Sequence, residues 1–333
     1  MKKTLRLIIF LLIGLGFIWW FISKLSTEEI KQLFESFSNA NYFWFFVALL
    51  VNVFSAVIRA FRWQQLIRPM GYNPKLITTF LAVMSGYLTN LAVPRLGEIV
   101  RCGLLSKNQK IPFEKTVGTV IIERTVDTLC FALFFFIALM IEFNYIKDYI
   151  YNNFSNIINF SSLKTLLIYG FIALLVLCFI LFLFRKRIRE TKIYRKIIEF
   201  LSGFMEGIKS IFKLKNPLLF IFNSLFIWSL WILGTYVIFL CFEQTSHLAF
   251  KIAFVATMLG AIGPIVTPGG IGIFPAIIAE SLLMYSIVRP VGYAAGWLLW
   301  IVSQIGIIIF GLVGFIYFSK RKKDNERVRQ DTK

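Results

Sequence analysis

Long apolar runs alternate with short basic ones along this chain. A helix needs about 20 apolar residues to cross a bilayer. Runs of that order occupy residues 5–23, 42–61, 117–142, 163–184, 217–242 and 291–318. Each predicts a spanning helix, about six in all. The first follows Met1-Lys2-Lys3, like a signal peptide. Trp19-Trp20-Phe21 is too bulky for a small-residue cleavage site, so the run reads as an uncleaved anchor. Two further apolar stretches have a different texture. Residues 76–93 contain Gly86 and Asn90 and end at Pro94. Residues 249–287 are interrupted by Gly260, Gly263, Pro264, Pro268, Gly269, Gly270, Gly272 and Pro275. Such interruptions free backbone hydrogen-bonding groups. Within a membrane these are tolerated only where protein or water surrounds them.

The distribution of Lys and Arg sets an orientation, because short cytoplasmic loops are enriched in both. The N-terminus, 59–75, 95–115, 185–215 and the tail after Ser319 are basic; 24–41 and 143–162 are much less so. Residues 185–215 alone hold ten Lys and Arg against three Glu. Both termini are therefore expected in the cytoplasm, in a multi-pass protein of the cell membrane. Two basic segments flank 76–93, which predicts that this stretch enters and returns. The alternative is a plain crossing, since 18 residues reach about 27 Å as a helix. The basic tail then requires a second broken hairpin at 249–287, entering from the other side. The order of spanning helix, broken hairpin and spanning helix thus occurs twice with opposite orientation. That is an inverted repeat, and in transporters paired broken segments mark a midplane site. The predicted fold is all-α: a polytopic membrane helix bundle of about six spanning helices and two re-entrant hairpins. It is expected as one integral membrane domain over 1–333, with halves at 5–142 and 217–318, a connection at 143–216 and a basic tail at 319–333. Two amphipathic pieces complete it. Ser26-Thr27-Glu28-Glu29 fits a capping box ahead of an outer interfacial helix. Residues 190–213 align Ile197, Leu201, Phe204, Ile208 and Ile211 on one face, as on a cytoplasmic helix lying on anionic lipid.

Composition narrows the function. Hydrophobic residues make up 58% and charged residues 16% of 333, which excludes a disordered chain and a soluble enzyme. The net charge of +19 sits in blocks between apolar runs, suited to anionic lipid and not to nucleic acid. None of the four cysteines forms a CxxC pair, and His247, the single histidine, reads as an interfacial loop residue. No metal or other cofactor is expected. No phosphate loop of the GxxxxGK[ST] type occurs.

Charged side chains inside membrane segments cost at least about 2.5 kcal/mol each and call for partners. The densest group includes Asn90, Pro94, Arg95, Gly97, Glu98 and Arg101. Asn90 is placed to close a broken helix end, and Pro94 and Gly97 to shape the turn. Glu98 and Arg101, three apart, are expected to pair, leaving Arg95 as a free cation. The arginine fork suits phosphate. The second group is Glu123, Arg124 and Asp127, with one acid in excess to answer Arg95 or Arg101. Two readings stand: an ion-pair network that only fixes helix packing, or a polar cavity for a lipid headgroup or protons. The third group is Thr267-Pro268-Gly269-Gly270-Ile271-Gly272, whose glycines let backbone N–H groups approach an anion; tight packing at a break explains it equally well. Glu280 is the acid of that hairpin. Arg59 and Arg62 are expected to snorkel to headgroups.

With these residues the chain resembles the lysylphosphatidylglycerol synthase transmembrane-domain family, also described as flippase-like. The family pattern is similar to Asn90, Pro94, Arg95, Gly97, Glu98 and Arg101, then Glu123, Arg124 and Asp127, then Pro268, Gly269, Gly270 and Gly272. The likeness extends over roughly residues 5–320. Members often carry a glutamate shortly after the glycine motif, where this chain has Pro275; either Glu280 stands in or that carboxylate's role is absent. The resemblance implies translocation of an anionic phospholipid or lipid-linked headgroup. The substrate-binding candidates are Asn90, Arg95, Glu98, Arg101, Glu123, Arg124, Asp127, Gly269, Gly270, Gly272 and Glu280, with no catalytic residue assigned. Membrane lipids, anionic ones in particular, are the expected partners. Two alternatives remain: a membrane-embedded transferase acting on a lipid-linked sugar or amino acid, with Glu98 or Asp127 as general base, and a non-catalytic partner of a lipid-modifying synthase. Loops too short for a nucleotide-binding domain argue against the transferase.

Overall fold

The computed structural model describes residues 15–93, 95–143 and 214–331. The predicted span 163–184, the amphipathic helix at 190–213 and most of the first span lie outside them. Among the described residues every regular element is helical. After a helical stretch at 15–23 come α1 (Thr27–Ser38), α2 (Tyr42–Ile67), α3 (Leu76–Ala92), α4 (Leu96–Gln109) and α5 (Phe113–Ile141). The second half holds α6 (Pro217–Phe239), the single turn α7 (Glu243–Ser246), α8 (Phe250–Gly260), the turn α9 (Gly263–Val266), α10 (Ile273–Leu283) and α11 (Arg289–Asp331). Among the described residues four helices are long and apolar enough to cross a membrane: α2 with its 3-10 extension to Met70, α5, α6 and α11 as far as Arg321. They correspond to the predicted runs at 42–61, 117–142, 217–242 and 291–318.

Local chemistry explains the ends. The capping box forms: Ser26 Oγ accepts from Glu29 N at 3.2 Å, and Ser26 N donates to Glu29 Oε2 at 2.8 Å. Asn41 Oδ1 caps α2 by accepting from Phe43 N at 3.1 Å. α2 stops where Arg68-Pro69-Met70 tightens into a 3-10 turn and Gly71 turns left-handed at φ 87°.

Contacts along the helices fix their directions. α3 and α4 form a hairpin, in which Asn90 meets Gly97 and Gly86 meets Arg101. The arms touch backbone to backbone, since a Cβ on Gly86 would lie 2.8 Å from Gly97 O and one on Gly97 would collide with Gly86 O. α8 and α10 form the second hairpin, with Gly260 against Ile278 and Gly263 against Phe274. α11 runs antiparallel to α10, through Gly296 on Pro275 and Gly292 on Ala279. It then runs antiparallel to α3, through Gly311 on Leu88 and Tyr317 on Thr78. α2 runs antiparallel to α5, through Arg62 on Glu123 and Trp63 on Thr119, and to α6, through Ser55 on Trp231 and Arg62 on Ser224.

These pairings define two ends of the bundle. One end collects the end of α2, the open end of the first hairpin, the starts of α5 and α6, and Arg321 of α11. The other collects the start of α2, the ends of α5 and α6, the open end of the second hairpin and the start of α11. Each hairpin returns to the end it came from, and the two enter from opposite ends. The tips meet, with Leu91 of α3 against the left-handed Gly269. α2–hairpin–α5 and α6–hairpin–α11 are thus inverted copies of one pattern. The 11 residues of α8 and of α10, about 16 Å each, are too short to cross.

Candidate functional site

The charged groups converge between α2, α4 and α5. Glu123 is completely buried, and α2 and α4 aim three guanidinium groups at it. Arg59 Nε donates to Glu123 Oε1 at 2.9 Å, and Arg62 Nη2 donates to the same oxygen at 3.1 Å. Arg101 Nη2 lies 3.1 Å from Glu123 Oε2. Asp127, one turn further along α5, pairs with Arg59, with Arg62 at 2.7 Å and with Arg124 at 3.3 Å. Arg62 is held from its other side by Ser224 of α6 at 3.1 Å. Arg101 lies over the Trp63 ring at 4.8 Å, and Trp63 Nε1 donates to Thr119 Oγ1 at 2.8 Å.

Three expectations change. Arg59 and Arg62 do not snorkel; they are 3% and 0% exposed. They lie one turn apart on the face of α2 that packs on α5, where Glu123 and Asp127 offset their desolvation. Glu98 and Arg101 do not pair. The hairpin brings Asn90 across to Glu98, with Nδ2 3.3 Å from Oε2, while Arg124 Nη1 stands 3.9 Å from Oε1. Arg101 turns instead to the fully buried Glu123. The fold also uses Gly97 for close approach of the hairpin arms, beyond shaping the turn.

Asn90 does close the interrupted helix: its Oδ1 accepts from Gly97 N at 2.7 Å, serving a first-turn amide of α4 that has no partner within the helix. Arg95 caps α4 in the left-handed region at φ 68°, is exposed, and forms no ion pair among the described residues. Gly269, Gly270 and Gly272 all have positive φ, at 63°, 74° and 75°. They form the tip of the second hairpin, where Trp300 Nε1 donates to Gly269 O at 2.7 Å. Glu280 is placed on α10 against Arg289, 2.8 Å away and well removed along the fold from the arginine cluster. Arg59, Arg62, Trp63, Thr119 and Ser224 belong to the cluster, although the sequence singles out none of them as site residues. One signal was available: two acids beside one base on α5 leave a charge to be answered, and Arg59 and Arg62 are spaced to answer it from an antiparallel helix.

The cluster sets four guanidinium groups, Arg59, Arg62, Arg101 and Arg124, against three carboxylates, Glu98, Glu123 and Asp127. One positive charge is in excess, with Arg95 nearby on the same hairpin. Arg101 Nε and Nη1 are buried and have no hydrogen-bond acceptor among the described residues. Arg124 has a half-exposed side chain, and Glu98 is partly exposed. The cluster therefore has a sealed floor of Arg59, Arg62 and Glu123 and an open rim of Arg124, Glu98 and Arg95. Such an arrangement is able to take an additional anion. Among the described residues no group of His, Cys, Asp and Glu is arranged to hold a metal ion.

An all-α bundle with apolar helices of spanning length, two inverted hairpins and a paired arginine cluster defines a polytopic membrane protein. More particularly, the chain belongs to the lysylphosphatidylglycerol synthase TM region family, whose model matches residues 7–311. It is similar to the UPF0104 membrane protein MJ1595 of Methanocaldococcus jannaschii, 25% identical over 98% of both chains. It is also similar to the UPF0104 membrane protein PH1989 of Pyrococcus horikoshii, 25% identical over 93% of this chain and 96% of that one. No solved structure matches the chain.

Proposed function

We propose that the protein carries lipids with an anionic headgroup across the membrane, the phosphate resting on the arginine cluster while the acyl chains stay in the bilayer. The observation that carries this reading is the excess of guanidinium over carboxylate, with buried Arg101 N–H groups left without an acceptor among the described residues. Arginine N–H groups bind phosphate oxygens through charge-assisted hydrogen bonds. Arg124 and Arg95 receive the headgroup at the rim. Glu98, Glu123 and Asp127 orient the arginines and limit the charge to what one phosphate balances. Two inverted hairpins that meet at their tips match the paired broken segments that mark a transporter's midplane site. The basic end, which carries Arg68, Lys75, Lys107, Lys110 and Lys115, faces the cytoplasm in this reading.

The test is transport in vesicles. The purified chain is reconstituted with a trace of acyl-labelled phosphatidylglycerol, and the transfer of label between leaflets is followed. Arg124→Gln and Arg101→Gln should slow transfer roughly tenfold or more, and Arg101→Lys less. Transfer at the wild-type rate in folded Arg124→Gln and Arg101→Gln removes the role given to the cluster.

A further inference from the structure

Arg101 is 3% exposed, and its Nε and Nη1 have no hydrogen-bond acceptor among the described residues. Burying a guanidinium in that state is costly. The ion pair with Glu123, 3.1 Å from Nη2, offsets only part of the cost, because Arg59 and Arg62 draw on the same carboxylate. An aromatic ring supplies a second offset. The guanidinium carbon of Arg101 stands 4.8 Å from the centre of the Trp63 ring, and Trp63 is completely buried. Cation–π attraction is strongest for tryptophan and grows when both groups leave water.

A ring differs from an oxygen as a partner. A carboxylate or amide steadies a buried guanidinium by accepting its N–H groups. A ring face steadies the charge and brings no oxygen acceptor, so the N–H groups stay available to a ligand. The ring is itself held in place. Thr119 Oγ1 gives its only hydrogen to Thr116 O at 2.7 Å, so toward Trp63 Nε1, 2.8 Å away, it can only accept. Thr119 stands one turn before Glu123 on α5, so that helix fixes both the ring and the ion-pair partner of Arg101. From α3, Gly86 borders the arginine's stem: a Cβ there would lie 3.0 Å from Arg101 Cβ and 3.5 Å from Arg101 Cδ. We propose that Trp63 is a positioning residue, whose ring holds Arg101 buried with N–H groups left for the phosphate. The inference rests on the proposed function and adds to that site a residue that acts through Arg101.

The experiment is a double-mutant cycle on binding. Short-chain phosphatidylglycerol is titrated into delipidated full-length protein in detergent, and Kd is read by calorimetry. Trp63→Leu should raise Kd roughly tenfold, and Trp63→Phe, which keeps a smaller ring, roughly threefold. Trp63→Phe also leaves most of the core filled, so it decides the question if Trp63→Leu does not fold. In an Arg101→Gln background neither substitution should raise Kd further. A ring that serves packing alone would cost the same factor in both backgrounds, and that result overturns the proposal. So does a wild-type Kd in every Trp63 variant that folds. The arginine reading survives both results as long as Arg101→Gln itself raises Kd. A wild-type Kd in Arg101→Gln overturns the arginine reading, and the role of Trp63 with it.

Discussion

At the scale of single residues, the decisive fact is that arginines on three helices share two acids on one helix turn. Burying a charge is expensive, and removing one member of a buried group leaves its partners uncompensated. Glu123 is the extreme case, because Arg59, Arg62 and Arg101 all rely on it. Glu123→Gln is expected to cost about 3–5 kcal/mol, read as a clear fall in Tm in detergent. Arg124→Gln, at the rim with a half-exposed side chain, should barely move Tm, although the proposed function expects it to slow transfer. An equal Tm loss in both would show that the rim is part of the structural core. Much of this was legible in the sequence. The intramembrane cost of charge pointed to Glu98, Arg101, Glu123, Arg124 and Asp127, and these residues do converge. The pairing was not legible. Proximity along the chain favoured Glu98 with Arg101, but the hairpin brings Asn90 to Glu98, and α5 offers Arg101 a drier acceptor. Arg59 and Arg62 stood near a predicted helix end, where snorkelling is common. The structure continues α2 to Ile67, so both lie inside the helix.

At the scale of elements, the first hairpin depends on a missing side chain at one crossing. Gly97 faces the Gly86 carbonyl so closely that any Cβ displaces an arm. Gly97→Ala should therefore lower Tm and loosen the Asn90 contact that closes α4. Gly103→Ala and Gly118→Ala serve as controls, because nothing lies within 4 Å of the added carbon. Both sit within helices, where alanine gains about 1 kcal/mol over glycine, so their Tm should hold or rise. A Gly97→Ala protein as stable as these controls would contradict the close crossing. The interruptions themselves were readable from Pro94 and the Thr267–Gly272 motif. Which glycines make turns and which allow contact was not. That depends on the neighbouring backbone, and one sequence does not reveal it.

At the scale of the whole molecule, opposite entry of the two hairpins is a statement about sides. In a cysteine-free background, single cysteines replace Asn73, Lys110, His247 or Ser286, all exposed positions beside hairpin arms. In sealed vesicles a membrane-impermeant maleimide should label 73 and 110 from one side, and 247 and 286 from the other. Labelling of 73 and 110 from opposite sides would mean that the first hairpin crosses. The charge bias had already required both flanks of 76–93 to share a side, because lysine placement reports topology without any knowledge of packing. The contact between the tips could not be foreseen, since Leu91 and Gly269 are far apart in the chain and neither is chemically distinctive.

α5 has one further property. Around its middle, Glu123 and Asp127 bind the arginines, and Glu123 reaches Arg101 of the first hairpin; beyond its last turn, buried Glu142 meets Lys251 of the second hairpin at 2.7 Å. A stiff rod held by opposite charges at its middle and at its far end does not tilt without straining one clasp. Displacing either re-entrant loop is therefore expected to strain the clasp that holds the other.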